Sequence, residues 1–134
     1  MKKQTREWVR KAEKDHALAE IDSRSEVPFH DDVCFHCQQC SEKYLKGLME
    51  ELGLTVPKIH HLGVLLTNLS PHHPTLQPLR RGLLFLTNFA VETRYPGKNA
   101  TKRQAVAALR WAGRVRTLAR GLLRIRERRQ AKKP

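Results

Sequence analysis

Cysteine, aromatic residues and long apolar runs are all scarce in this chain, and each shortage removes a class of protein. Three cysteines in 134 residues, an odd number without an apolar leader, argue against a disulfide framework. The first residues, "MKKQTREWVRKAEKD", are charged throughout, so the expected location is cytoplasmic. No apolar run is long enough to cross a bilayer, and no membrane association is expected. There is no glycine-rich phosphate loop, no Ser/His/Asp set and no internal repeat. No segment alternates with period two, as a half-buried strand would. Histidine is absent after His73. Acid is nearly absent from the last quarter of the chain.

That last shortage is the other side of an excess. The formal net charge is +13. From Lys98 to Pro134 there are 13 Lys plus Arg against the single acid Glu127, whereas residues 1–97 hold 13 bases and 12 acids. Such a block fits phosphate-bearing partners through counterion release. It equally fits a solvated helix face with a frayed basic end.

The hydrophobic pattern is helical. Trp8, Ala12, His16 and Ala19 share one stripe of a first helix over about 5–21. A loop at 24–30 contains Pro28. Asp31 or Asp32 is expected to cap a second helix, which runs to about Leu52 and stops at Gly53. Its apolar face is Val33, Cys37, Cys40, Tyr44, Leu45 and Leu48. A short helix at about 61–69 precedes "SPHHP", a polar turn. Thr75 opens a fourth helix to about Val91, with Leu76, Leu79, Leu83, Leu86 and Ala90 inward, and "RYPG" ends it. Thr101 and Gln104 form a capping box for a long last helix. Ala105, Ala108, Ala112, Val115, Leu118, Leu122 and Ile125 line its inner side. The fold class is therefore all-α, an antiparallel up-and-down bundle of about five helices. Residues 1–125 make a single domain, and 126–134 a basic disordered tail.

The three cysteines lie together in "CFHCQQC", residues 34–40. At 100° per residue Cys34, Cys37 and Cys40 span about 120° of one helix face and step along it by about 4.5 Å. A cluster needs its thiolates folded around one centre, and no glycine or proline falls between 34 and 46 to fold them. No fourth cysteine exists to complete a four-thiolate site. Cys37 and Cys40 are accordingly read as small packing residues, and no metal or cofactor is expected.

"CFHCQQCSEKYLKGLMEELG" resembles the signature helix of the HEPN family, small helical domains often encoded beside minimal nucleotidyltransferases. The matching residues are Phe35, His36, Gln38, Gln39, Glu42 and Lys43. Alanine is common in the family where this chain has Cys37 and Cys40. "EWVRKAEKDHALAE" resembles the family's first helix through Trp8, Lys11, Ala12 and Asp15. "PKIHHLGVLL" resembles its Thr-His-x-Leu segment, with Ile59 in place of the threonine and His60 at the histidine. "ETRYPG" resembles its Arg-Tyr-Pro element. The likeness covers about 5–125.

The resemblance implies one of two functions. Some members are metal-independent ribonuclease toxins that depend on an arginine followed a few residues later by histidine. There histidine serves as acid or base for a ribose 2′-hydroxyl, and arginine stabilises the phosphorane charge. The late motif of the toxins cannot form here. Arg10 with His16 and Arg24 with His30 match the spacing, but about two matches are expected by chance. Arg24 and His30 are the catalytic candidates. Other members are non-catalytic, binding nucleotides or holding a nucleotidyltransferase partner, and the preserved blocks belong with them. The expectation is a nucleotide- or nucleic-acid-binding module, a homodimer, paired with a nucleotidyltransferase in a toxin–antitoxin-like system.

His36, Gln39 and Lys43 share a polar stripe of the second helix, and Lys46 lies within a turn of Lys43. With Arg94 and Tyr95 of "RYPG" they are expected to line a phosphate-binding cleft between helices two and four. The structural alternative is that Gln39 and Glu42 bond across the bundle and Arg94 neutralises a glutamate. For His60, helix capping or packing is the ordinary role. Arg110, Arg114, Arg116, Arg120 and Arg124 form the expected basic surface.

Overall fold

The computed structural model describes residues 1–27, 29–91 and 95–125. Among the described residues, five α-helices and one 3₁₀ segment make up an all-α bundle: α1 Lys3–Ser23, α2 His30–Glu51, α3 Leu62–Leu69, the 3₁₀ segment Pro74–Leu79, α4 Arg80–Thr87 and α5 Lys102–Leu122. No described segment is a strand, and no described helix is long and apolar enough to cross a membrane.

The second helix is the axis of the bundle. It packs against α1, α3, α4 and α5, and its buried residues, from Val33 to Met49, cover all but one edge of it. Small side chains make this possible. Cys34, Cys37, Cys40 and Ser41 are buried. At Gly47 a Cβ would lie 3.2 Å from the Cβ of Trp8, closer than packed carbons sit comfortably. The three thiols are free and belong to the core. Burial pushes the Cys34 thiol up to about 12, and Cys37 and Cys40 shift further in the same direction, so none is a nucleophile near neutral pH. The rest of the core is largely leucine from the later helices. Leu62, Leu65, Leu66, Leu69, Leu76, Leu83 and Leu86 are fully buried, each contributing roughly 1.5–3 kcal/mol by leaving water.

Helix ends follow local chemistry with two exceptions. The Thr101–Gln104 capping box is present in full. Gly53, at φ 74°, terminates α2, with its N–H bonded to the Glu50 carbonyl and that of Leu54 to Met49. The same pair of bonds closes α5, with Arg124 in the left-handed position at φ 58°. Neither aspartate caps α2: its N-cap is Phe29, with no side-chain bond. Asp31 instead accepts a hydrogen bond from the Ala100 backbone N–H at 2.6 Å, tying the start of α2 to the entry of α5. The fourth helix is also shorter than the apolar spacing predicts. Residues 74–79 wind as a 3₁₀ helix with Pro78 inside; in an α-helix its ring would meet the carbonyl four residues back. The α-helix that follows stops at Thr87 and gives way to turns with three-residue bonds. Leu76, Leu79, Leu83 and Leu86 remain inward regardless. The expected tail at 126–134 lies outside the described residues.

Candidate functional site

The polar stripe of α2 exists, and its described partners come from elements other than α4. His36, Gln39 and Lys43 emerge at the one edge of α2 that reaches solvent. Their partners come from α1 on one flank and from the approach to α3 on the other. On the α1 flank, Asp15 accepts a hydrogen bond from His36 Nδ1 at 3.0 Å and another from the Lys43 ammonium. Burial alone would raise the Asp15 carboxyl, but these bonds and the Lys43 charge more than offset it and hold it below its usual value. On the other flank Glu42, with a side chain only 5% exposed, is the hub. It accepts from Lys46 Nζ at 3.1 Å, from His60 Nδ1 at 2.8 Å and from Gln38 Nε2 at 3.1 Å. Gln38 also donates to the His60 carbonyl, and Gln39 donates to Gln38. No buried side-chain nitrogen or oxygen among the described residues lacks a partner. Among the described residues these groups form a row of ion pairs, each lysine already holding a carboxylate; the expected cleft between the second and fourth helices also needs Arg94, which lies outside the described residues.

The remaining site residues separate. Tyr95 is exposed, and Arg94 lies outside the described residues. Arg24 is exposed and paired with Glu20 at 3.5 Å. His30 opens α2 at the lip of a depression of about 310 Å³ whose floor includes Phe29, Val33 and Val106. No hydrogen bond joins Arg24 to His30. Arg10 pairs with Glu7, and His16 with Glu20. His60 is not the cap of α3. That role belongs to His61, whose ring nitrogen accepts from the Val64 N–H at 3.3 Å.

The basic surface of α5 divides in two. Arg116 and Arg120 turn inward. Arg116 grips Glu13 with two bonds of 2.7 and 2.8 Å. Arg120 adds a third at 3.2 Å, and the Tyr44 hydroxyl donates to the same carboxylate at 2.5 Å. This cluster joins α1, α2 and α5, and it removes both arginines from the expected surface. Burial raises Glu13, yet the donors of Arg116 and Tyr44 and the guanidinium charges bring it down to about 2. The outer face of α5 keeps Lys102, Arg103, Arg110 and Arg114, with Arg124 just beyond its end, all exposed. None of these five pairs with an acid among the described residues. Arg114 instead lies over the Trp111 indole, 4.8 Å from the ring centroid.

Sequence reasoning missed Glu13 as the neutraliser of two arginines; a bond from Glu42 across the bundle was its structural alternative, and Glu42 does bond His60, before α3. Glu13 is 103 residues from Arg116, so no local spacing links them. It also missed the groove beside Trp111. The signal there was a tryptophan and a glycine, Gly113, among arginines on one helix. Among the described residues no group of His, Cys, Asp and Glu is placed to hold a metal.

Comparison with known proteins identifies the family and the fold. The HEPN domain model matches residues 5–122, and the chain belongs to the HEPN family. Two crystal structures share the fold. One is TT1696 from Thermus thermophilus, at TM-score 0.80 and 23% identity, over 90% of this chain and 98% of that one. The other is ST0689, an archaeal HEPN homologue, at TM-score 0.74 and 27% identity, over 92% and 99%. No curated protein matches.

Proposed function

We propose that this HEPN domain is a non-catalytic module that binds a phosphate-bearing ligand, nucleotide or nucleic acid, through the outer face of α5. One observation carries the reading. From Lys102 to Arg124 there are seven bases and no acid. Two of the seven are neutralised by Glu13, and the other five face solvent without a carboxylate from any described residue. An uncompensated row of this kind attracts polyanions and releases their counterions. The lysines of α2, by contrast, have already spent their charge on Asp15 and Glu42.

The preserved HEPN blocks support a minimal nucleotidyltransferase as the protein partner, in a toxin–antitoxin-like pair, with the HEPN subunit itself a homodimer. Catalysis is not part of the proposal, because Arg24 is held by Glu20 rather than set beside His30.

The test is an anisotropy titration with fluorescein-labelled RNA, repeated between roughly 50 and 200 mM salt. Binding should weaken steeply with salt. Arg110→Glu with Arg114→Glu should abolish it, while Lys43→Ala leaves it intact. Binding that survives the double charge reversal refutes the assignment to α5. RNA cleaved in EDTA by the native protein but not by His30→Ala would establish the ribonuclease instead.

A further inference from the structure

Resting on that reading, we infer that the groove between the 3₁₀ segment and α5 seats an unpaired base of a single-stranded nucleic acid, with Arg110 and Arg114 on the flanking phosphates. The groove is a depression of about 510 Å³ beside Pro78, Leu79, Arg110, Trp111, Gly113 and Arg114. Its floor is apolar and its rim is basic. A second depression, of about 490 Å³, continues it toward the start of α5 along Ala107, Val106, Arg103 and Lys102, sharing Arg110. The two form one track along the helix.

Three features select the single strand. First, an apolar floor is of little use to a duplex, which presents phosphates and hides the faces of its bases. An unpaired strand exposes those faces and gains by covering them. Second, the Trp111 ring is fixed from below. It lies so close to Gly82 that a Cβ there would sit 2.0 Å from the ring. The Arg114 guanidinium lies over the same indole, 4.8 Å from the ring centroid, so it is held at the groove by the ring rather than by a carboxylate. A guanidinium is planar, so it can both cover a base and bind a phosphate. Third, Gly113 is mid-helix, where glycine is unfavourable relative to alanine. No packing contact with the described residues calls for it, because a Cβ built at Gly113 meets nothing within 4 Å. Its lack of a side chain keeps the groove open to something from outside.

The test compares labelled oligouridylate, a duplex of mixed sequence and a labelled mononucleotide, each titrated with the full chain by anisotropy. The single strand should bind on the order of tenfold tighter than the duplex. Arg114→Lys keeps the charge but loses the plane, and Gly113→Leu fills the groove. Each should weaken the single strand on the order of tenfold and leave the duplex nearly unchanged. Gly113→Ala is the helix-strengthening control, and circular dichroism melting verifies the fold of each variant. Duplex bound as tightly as the single strand overturns the inference while leaving the phosphate-binding reading standing. So does indifference to both Arg114→Lys and Gly113→Leu, or displacement of the RNA by poly-glutamate at equal charge. If Gly113→Leu abolishes self-association in sedimentation and spares RNA binding, the groove is an interface between copies and the inference falls. Absence of salt-dependent binding to all three probes overturns the inference and the broader reading together.

Discussion

The polar edge of α2 and the outer face of α5 both carry conspicuous bases, yet they hold them in opposite ways. On α2, Lys43 and Lys46 each meet a carboxylate, and His36 and His60 share those same two acids. On α5, Arg103 and Arg110 stand in water with no acid among the described residues, and Arg114 has an aromatic face instead. The difference follows from depth. Next to the core an ammonium without a counterion costs several kcal/mol, so α2 imports Asp15 and supplies its own Glu42. On an exposed face water solvates the charge and no partner is needed. Counting bases in a sequence therefore measures nothing about which are available. Two of the arginines on α5 itself, Arg116 and Arg120, fall on the α2 side of this divide because they flank the buried stripe.

The comparison breaks most sharply at Glu42. Glu42→Ala leaves the Lys46 ammonium, 6% exposed, without its carboxylate. The expected loss is about 3–5 kcal/mol, a large share of the roughly 5–15 kcal/mol that stabilises a domain. Urea denaturation measures it. Replacing both members, Glu42→Leu with Lys46→Met, should restore most of the loss. If the single variant costs less than about 1 kcal/mol, the α2 pair behaves like a surface pair and the contrast with α5 collapses.

A smaller effect sharpens the α5 side. Gly82→Ala puts a Cβ into the Trp111 ring. Overpacking of this kind should cost about 1–3 kcal/mol by the same measurement, and it should also shift Trp111 from beneath Arg114.

These distinctions were only partly legible in the sequence. The helices were, because the apolar residues keep helical period and the Thr101 box and Gly53 mark ends locally. The 3₁₀ segment was not read, although Pro78 announces it, because the leucine spacing continues through it. The cap of α2 misled because an aspartate at a helix start has two possible customers, and Asp31 serves the Ala100 N–H, 69 positions away. The polar stripe of α2 was correctly grouped, since residues three and four apart share a face. Which neighbour it faced was not, since Asp15 and His60 reach it from other elements. Arg116 and Arg120 were placed on the surface for the same reason: helical spacing puts them beside the buried stripe, but only the fold brings Glu13 there.

Acid offers a graded test of the buried cluster. The folded pKa of Glu13, about 2, lies below its ordinary 4.5, and Asp15 is shifted in the same direction. A depressed carboxylate stabilises the fold fully above its unfolded pKa and loses that contribution as pH falls toward the folded one. Stability should therefore decline between pH 4.5 and about 2. Glu13→Gln should flatten part of that slope, and urea midpoints across the range test it. A variant that retains the native slope would mean that Glu13 is not held by Arg116 and Tyr44 in solution.

The smallest effect on stability belongs to the residue expected to matter most for binding. Arg110 is exposed, pairs with no described acid and rims both depressions of α5. Arg110→Ala should change the urea midpoint by less than the equivalent of about 0.5 kcal/mol, because water replaces nothing the fold depends on. In the RNA titration the same change should weaken binding and lower the slope of log affinity against log salt by about one, the signature of one lost phosphate contact. The Lys43→Ala variant supplies the reverse: a measurable loss of stability from the unmatched Asp15, with the salt slope unaltered. Should Arg110→Ala destabilise the fold while leaving the slope in place, the two faces have been assigned the wrong way round, and the ligand belongs at the edge of α2.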